Sequence, residues 1–140
     1  MARFRRVFAI LFAAAGITVS AGSLGYAQYG SPDTAKPMPD AVKVSSGGLL
    51  TDANGLTLYT FDNDADGKSA CNGACAQNWP PLPAAADAKA TGAFTIVTRD
   101  DGSKQWAYNG KPLYHWKNDK APGDTTGDGV LGKWHIVKPT

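Results

Sequence analysis

The sequence contains no glutamate, because all 12 of its acidic residues are aspartates. Beyond residue 27 it also has no stretch of ten residues in which apolar side chains recur at a helical spacing of three and four. The missing periodicity excludes a helical bundle. The missing glutamate excludes a complete calcium loop of the helix–loop–helix type, which ends on a bidentate glutamate.

Long hydrophobic runs are equally scarce. The longest extends only from Val7 to Val19, which is too short to span a bilayer. Three arginines precede it, and a Gly-Tyr-Ala sequence ending at Ala27 follows it. This order predicts a secretory signal over residues 1–27, cut after Ala27, with a cut at Ala21 as the alternative. No cysteine lies near either cut, so we expect a secreted or periplasmic chain without a lipid anchor and with no transmembrane helix in the mature part.

The chain beyond the predicted signal has no excess of positive charge. It carries 11 basic residues against 12 aspartates, which gives a net charge of −1. A nucleic-acid partner would require a basic patch or stripe, so none is expected. The remainder of the chain, from Gln28 to Thr140, has the length of one domain.

An internal repeat with a constant offset is the strongest pattern that the sequence does contain. The segment Tyr59 to Asp64 (YTFDND) recurs as Tyr114 to Asp119 (YHWKND). Three further matches at the same offset, without a gap, are Asn54-Gly55 with Asn109-Gly110, Leu58 with Leu113, and Trp79 with Trp134. The pattern predicts two copies of one structural unit, and we expect an approximate twofold axis to relate them.

Strand and turn signals predict an all-β fold. Asn-Gly between apolar runs is typical of a tight β-hairpin turn. We therefore predict two tandem β-meander repeats, residues 42–83 and 94–138, forming one β domain (42–138) as a small sandwich or partly closed barrel with long Gly/Asp-rich loops. Residues 28–41 are proline-rich and are expected to be a flexible tether. Residues 84–93 connect the repeats, and residues 84–90 are the only helical candidate.

The repeated motif is best interpreted as a central strand followed by a loop anchor. Tyr59 and Phe61 point to one face of the strand, and Leu58 and Thr60 point to the other. Apolar groups on both faces indicate that the strand is covered on both sides. Asp64 lies just past the strand end, where its carboxylate can accept loop N–H groups or the Tyr59 hydroxyl. The equivalent residues of the second copy are Tyr114, Trp116 and Asp119.

The motif is also recognisable as a family feature. Tyr-x-(Phe/Trp)-x-x-Asp occurs twice, and the run from Gly67 to Leu82, with Cys71, Gly73, Cys75 and Trp79-Pro80-Pro81, follows the first copy. Residues 42–138 thereby resemble the bacterial secreted-repeat family described as predicted lipoproteins with a Tyr-x-(Phe/Trp/Tyr)-x-x-Asp motif. That family has no established activity, so the resemblance implies a secreted repeat protein and no catalytic residue.

The two cysteines favour a disulfide. Cys71 and Cys75 survive export into an oxidising compartment, and Gly73 supplies the turn between them. The alternative is a copper or zinc site, or a thiol-redox pair, in which Cys71 and Cys75 act with His115 or His135. Calcium at Asp62, Asp64 and Asp66 is a further candidate, although a turn-rich loop with solvated aspartates explains the same pattern.

No catalytic constellation can be assembled from the sequence. There is no nucleophile elbow and no motif that positions a histidine beside a serine. The four tryptophans are interpreted as core residues, with an aromatic ligand groove as the alternative. We predict a non-catalytic binding or structural module of the cell envelope without a required cofactor, whose partner is an envelope protein, a glycan or a small ligand. The alternative is a periplasmic metal or thiol-redox protein.

Overall fold

The structure, a computed structural model, describes residues 37–140 of the chain. The predicted signal and residues 28–36 of the predicted tether lie outside this part. The described elements are the strands β1 (Val42–Val44), β2 (Leu50–Asp52), β3 (Tyr59–Phe61), β4 (Phe94–Thr98), β5 (Lys104–Tyr108), β6 (Lys111–Pro112) and β7 (Trp134–Ile136), the helix α1 (Ala74–Asn78) and a 3₁₀ turn (Val130–Gly132).

The strands form three small antiparallel sheets. In the first, β1 pairs with β2, and in the third, β5 lies between β4 and β6. The second sheet joins the repeats, because β3 of the first pairs with β7 of the second. The all-β prediction is confirmed at this level, and the sheets of residues 37–140 do not close into a barrel.

The hairpin turns lie where the sequence predicts them. In the first turn, the Asp52 carbonyl accepts the N–H of Gly55. After this turn the chain runs back beside β2, where Thr57 forms an antiparallel bridge with Thr51. The turn between β5 and β6 has both Asn109 (φ 50°) and Gly110 (φ 81°) in the left-handed region. That is the conformation of a type I′ turn, which Asn-Gly adopts with little strain.

The helical candidate at residues 84–90 is wrong, and the helix lies instead in the cysteine loop as α1. The N–H of Ala84 donates to the carbonyl of Lys104, and Pro83 bridges Gln105. The start of the connector is thereby held against the edge of β5. A short alanine-rich segment has too little intrinsic helix stability to resist such pairing.

Two hydrophobic cores lie on opposite faces of β3 and its flanking residues. Leu58 is fully buried in the first core, with Leu50, Leu113 and Trp106 among its members, and Ala41 packs at its edge. Tyr59 belongs to the second core, which is mainly aromatic. The prediction that apolar groups cover both faces of this strand is thus confirmed, because successive side chains alternate between the cores.

Within residues 37–140, no helix has the length and apolar character needed to cross a membrane.

Candidate functional site

The two copies of the repeated motif meet at Tyr59 and Tyr114. The backbone N–H of each tyrosine donates to the carbonyl oxygen of the other, at 2.8 and 3.0 Å. The two residues form an antiparallel bridge, and both side chains are fully buried. Equivalent residues therefore contact each other across the repeat boundary, as an approximate twofold arrangement requires.

The motif aspartates are exchanged between the repeats. The hydroxyl of Tyr59 donates to Asp119 Oδ2 at 2.5 Å, and the hydroxyl of Tyr114 donates to Asp64 Oδ2 at 2.6 Å. The remaining carboxylate oxygens accept loop N–H groups, from Ala70 onto Asp64 and from Thr126 onto Asp119. Of the two roles predicted for Asp64, the structure shows the loop anchor, through the N–H of Ala70. The Tyr59 hydroxyl, the other predicted partner, pairs with Asp119 instead, so each tyrosine pairs with the aspartate of the other repeat.

Burial sets the protonation of this network. Burial of the Tyr59 side chain, reinforced by the hydrogen bond to Asp119, raises the pKa of its hydroxyl far above the ordinary value. The pKa of Tyr114 is raised in the same direction by burial and by its hydrogen bond to Asp64. Burial also raises the pKa of Asp64, against the lowering effects of Tyr114, the Ala70 N–H and Arg99. Both phenols therefore stay protonated at neutral pH.

The loop that follows each motif also contacts the other repeat. The N–H of Gly67 donates to the carbonyl of Gly110, and Asp66 lies so close that a Cβ atom at Gly110 would overlap its carboxylate. In the other direction, a Cβ atom at Gly55 would lie 3.1 Å from the Pro122 side chain, and the backbone carbonyl of Asp124 accepts the hydroxyl of Thr57 at 2.7 Å. Each loop thus covers the Asn-Gly turn of the opposite repeat.

Four aromatic rings form a continuous stack through the second core, in the order Phe61, Trp134, Trp79, Trp116. The successive ring centroids are 4.2, 3.7 and 4.0 Å apart, and the rings are inclined by 14°, 3° and 28°. The two inner rings are buried, and the two outer rings are half-buried. The repeat offset relates the inner rings to each other and the outer rings to each other. The prediction that tryptophans form core is confirmed for the inner two and, in the first core, for Trp106.

The tyrosines contact the sides of this stack. The ring of Tyr59 meets Trp79 edge-on at 5.4 Å, and the ring of Tyr114 meets Trp134 edge-on at 5.2 Å. Gly127 lies across the edges of Trp79 and Trp116, and its N–H donates to the Tyr59 hydroxyl at 3.2 Å. The exchanged hydrogen bonds and the ring stack are therefore parts of one packed structure.

The predicted disulfide between Cys71 and Cys75 is confirmed, with their Cα atoms 5.2 Å apart. Cys71 is fully buried in the second core, and Cys75 is half-buried at its edge. Gly73 between them has φ 58° and ψ −124°, a conformation essentially restricted to glycine. The disulfide turn leads directly into α1, which carries the chain to Trp79.

Arg99 is the main residue that sequence reasoning missed. It is only 6% exposed, and its guanidinium donates to Ser69 Oγ, Gln105 Oε1, the Cys71 carbonyl and Asn72 Oδ1. All four acceptors are neutral, and Ser69 Oγ also lies 2.6 Å from the Tyr114 hydroxyl. In the sequence, an arginine next to Asp100-Asp101-Gly102 indicates the exposed end of a hairpin. No pattern therefore predicted that Arg99 is buried.

The metal candidates are not brought together. His115 Nε2 lies 2.9 Å from Asp52 Oδ2, and His135 Nε2 lies 2.8 Å from Asp62 Oδ2, so each histidine has a carboxylate partner. Both cysteines are in the disulfide. Among residues 37–140, no group of three or more His, Cys, Asp or Glu side chains has an arrangement that could hold a metal ion.

The aspartates of the calcium candidate have separate roles. Asp62 pairs with His135, and Asp64 accepts the Tyr114 hydroxyl. Asp66 lies against the Gly110 turn. Their carboxylates face three different partners rather than one point.

Comparison with known families gives a direct match to the repeat. A profile of the family Lipoprotein_15, described as a secreted repeat of unknown function, matches residues 40–83 and again residues 95–138. The chain belongs to this family. No curated protein and no solved structure matched the chain. The matched segments of this secreted repeat coincide with the two units that exchange their tyrosine and aspartate side chains.

A surface cavity of about 450 Å³ lies at the Asn54-Gly55 turn of this secreted-repeat protein, and three smaller cavities lie around the turn between β5 and β6. Three cavities of about 280, 280 and 270 Å³ are all lined by Asn109. The first is also lined by Lys111, His135 and Lys138, and we call it the basic cavity. These residues belong to the second repeat, so this surface has no equivalent chemistry on the first.

Proposed function

We propose that the chain is exported and works in the cell envelope as a non-catalytic binding module. The observation that carries this proposal is the inward direction of the repeated motif. Tyr59, Tyr114 and Asp119 are buried and hydrogen-bonded to each other's repeat, so these groups maintain the fold and are not available to a substrate. The description of the family as secreted supports the export.

The basic cavity is the surface that we assign to ligand binding. Its volume of about 280 Å³ is just below the usual range of about 300–1,000 Å³ for small-molecule sites and suits one sugar unit or one terminal group of a polymer. Its lining combines two lysines and a histidine with Thr60, Tyr108 and Asn109. Positive charge next to neutral hydrogen-bonding groups favours an acidic sugar, and we infer an acidic envelope glycan as the ligand class.

A titration followed by ¹H–¹⁵N NMR tests this assignment. Oligogalacturonate is expected to shift the amide signals of residues 109–111 and 135–138, whereas an uncharged dextran fragment of similar length leaves them unchanged. The Lys111→Ala and Lys138→Ala variants are expected to bind the acidic oligomer more weakly. The control is Lys89→Ala, which removes the same charge from an exposed position in the connector.

Three results would contradict the assignment. If Lys89→Ala weakened binding of the acidic oligomer as much as the cavity variants, binding would depend on net charge alone and not on the basic cavity. Shifts confined to other parts of the domain would locate binding elsewhere. No shift with either oligomer would remove acidic glycans as the ligand class.

The metal or thiol-redox alternative has a separate test. It requires reduced Cys71 and Cys75 in the exported protein. Mass spectrometry of natively purified protein is expected to give a mass two hydrogens below that of the dithiol, without a metal adduct. A stoichiometric copper or zinc adduct that is lost in the Cys71→Ser variant would favour the alternative instead.

A further inference from the structure

The ring stack connects the surface to the buried tyrosines. Trp116 is half-buried at one end, and the fully stacked pair of Trp79 and Trp134 continues from it into the core. Indole is among the most easily oxidised side chains, and electrons transfer readily between aromatic rings in van der Waals contact. The three tryptophans therefore form an unbroken series of oxidisable rings.

Each inner ring of the stack contacts a tyrosine that has its own proton acceptor. Trp79 touches Tyr59, whose hydroxyl donates to Asp119 at 2.5 Å, and Trp134 touches Tyr114, whose hydroxyl donates to Asp64 at 2.6 Å. A phenol loses an electron far more easily when its proton can move at the same time to a hydrogen-bonded base. A carboxylate at this distance is such a base.

We propose that the second core is a one-electron relay which accepts oxidising equivalents at Trp116 and stores them on Tyr59 or Tyr114. An oxidising radical outside the protein takes one electron from the Trp116 indole. Trp79 then transfers an electron to oxidised Trp116. The oxidised residue is now Trp79 or, after one further electron transfer, Trp134.

The final step moves an electron and a proton together. Tyr59 gives one electron to oxidised Trp79, and its phenolic proton moves to Asp119 Oδ2. The products are neutral Trp79, a neutral Tyr59 radical and the carboxylic acid of Asp119, so one electron has left the protein and no proton has. A one-electron donor such as a quinol or a thiolate returns the electron, and the proton moves back to Tyr59. The same step with Trp134, Tyr114 and Asp64 completes the relay in the other repeat.

The difference between the repeats gives the relay one entrance. Phe61 occupies the end of the stack that corresponds to Trp116, and a phenyl ring is much harder to oxidise than an indole. Oxidation therefore enters from the second repeat only. This functional asymmetry arises from a single ring in an otherwise symmetric stack.

Flash photolysis of the full chain with a ruthenium(II) polypyridyl and a sacrificial electron acceptor tests the relay. The photogenerated ruthenium(III) is expected to produce an indole radical that decays as a tyrosyl radical appears, followed by transient absorption and electron paramagnetic resonance. In the Tyr59→Phe/Tyr114→Phe double variant the indole radical should persist and the late tyrosyl signal should be lost. The remaining tyrosines of the chain give a background that both proteins share.

Two ring substitutions provide matched controls that leave both tyrosine–aspartate pairs in place. Trp116→Phe copies the first repeat and should lower the yield of the tyrosyl radical, whereas Phe61→Trp copies the second repeat and should raise it. Equal tyrosyl yields in the wild type, in Trp116→Phe and in the double tyrosine variant would mean direct oxidation of surface tyrosines and would overturn the relay.

The destination of the proton is tested by the buffer. With Asp119 and Asp64 as acceptors, the rate of tyrosyl formation should not change with the concentration of buffer base. The Asp119→Asn/Asp64→Asn variant retains hydrogen-bond acceptors that are not bases, so its tyrosyl formation should be slower and buffer-dependent. Buffer dependence in the wild type would show that the proton goes to solvent, which contradicts the proposal.

Discussion

Each buried tyrosine hydroxyl of the second core has both a hydrogen-bond acceptor and a donor. The Tyr59 hydroxyl donates to Asp119 and accepts the N–H of Gly127, and the Tyr114 hydroxyl donates to Asp64 beside Ser69. Buried polar groups cost free energy unless they are paired. Among residues 37–140, no buried side-chain nitrogen or oxygen lacks a partner. The aromatic core therefore depends on polar groups supplied by both repeats.

Removing one of these hydroxyls tests that dependence. Tyr59→Phe leaves Asp119 Oδ2 and the Gly127 N–H without their partner in the core, whereas Asp119 Oδ1 keeps its hydrogen bonds from Thr126. We expect the free energy of unfolding to fall by about 1–3 kcal/mol, measured by urea denaturation. The control is Tyr108→Phe, because the Tyr108 hydroxyl accepts only the exposed N–H of Thr140 and should matter by less than about 0.5 kcal/mol. Equal stability of both variants and the wild type would refute the structural role of the motif.

Arg99 is a second buried polar residue whose geometry decides its role. Its guanidinium binds acceptors on two elements, the Cys71 carbonyl in the disulfide loop and Gln105 on β5. A lysine has one point-like ammonium group and cannot span both. We therefore expect Arg99→Lys to lower the free energy of unfolding by about 1.5–3 kcal/mol in thermal or urea denaturation. The control is Lys43→Arg on the exposed part of β1, which should be neutral.

At the scale of elements, the domain combines short strands with loops that approach the ring stack closely. The strands are only two to five residues long. The loop that contains Gly127 closes over the edges of Trp79 and Trp116, and a Cβ atom there would lie 2.8 Å from the Trp79 ring. The buried Trp79 ring and the half-buried Trp116 ring are stacked on each other, and Trp79 is also stacked on Trp134, so Trp79 cannot move aside without losing contacts elsewhere.

A single methyl group tests this packing. Gly127→Ala should lower the free energy of unfolding by about 1–3 kcal/mol, because the extra carbon forces the stacked rings apart. Near-ultraviolet circular dichroism should report the change, since the coupled indoles dominate that signal. Gly47→Ala is the matched control, because the nearest atom to its Cβ is a serine hydroxyl oxygen at 3.8 Å. Wild-type stability and spectrum in Gly127→Ala would contradict the packing that we describe.

At the scale of the whole molecule, the two repeats form one cooperative unit. Neither repeat provides both the tyrosine and the aspartate of a pair, and β3 pairs with a strand of the other repeat. The aromatic core also needs residues of both repeats, because rings of the first and the second repeat alternate along the stack, with Trp134 next to Trp79. We therefore expect the domain to unfold in one step rather than repeat by repeat.

Alkaline pH should lower the free energy of unfolding of the whole domain, because the phenols of Tyr59 and Tyr114 are buried. The pKa values of Tyr59 and Tyr114 are raised in the folded protein, so above pH 10.0 the unfolded chain loses these protons while the folded protein retains them. Stability is therefore intact below that pH and falls as pH rises further, by about 1.4 kcal/mol per pH unit for each tyrosine. The slope should halve in Tyr114→Phe. An unchanged slope in that variant would mean that the Tyr114 hydroxyl has the same pKa in the folded and the unfolded protein.

Several features of this fold could be predicted from local sequence, because they depend on neighbouring residues alone. Asn-Gly turns form where the left-handed region is needed, and alternation along the YTF strand fixes which side chains share a face. Cys71 and Cys75 are close enough in the chain for a disulfide in any compatible loop. The constant offset between the two motif copies identified two equivalent units, and all of these predictions are confirmed.

The position of the helix could not be predicted in this way. The alanine-rich segment at 84–90 has the better intrinsic propensity, yet its first residue is bonded to β5 and it forms no helix. The helix α1 forms where the disulfide turn and Gly73 set the start of a turn. Tertiary contacts thus override a small difference in propensity.

The sequence by itself determined the strand and turn pattern, the disulfide, the two units and their shared motif. Only the tertiary structure decided that each tyrosine pairs with the aspartate of the other repeat, that Arg99 is buried, and that four rings stack in one series. A tyrosine hydroxyl and a carboxylate form the same hydrogen bond within a repeat or between repeats. The choice between the two depends on how the repeats pack, which is a long-range property that local residue patterns do not contain.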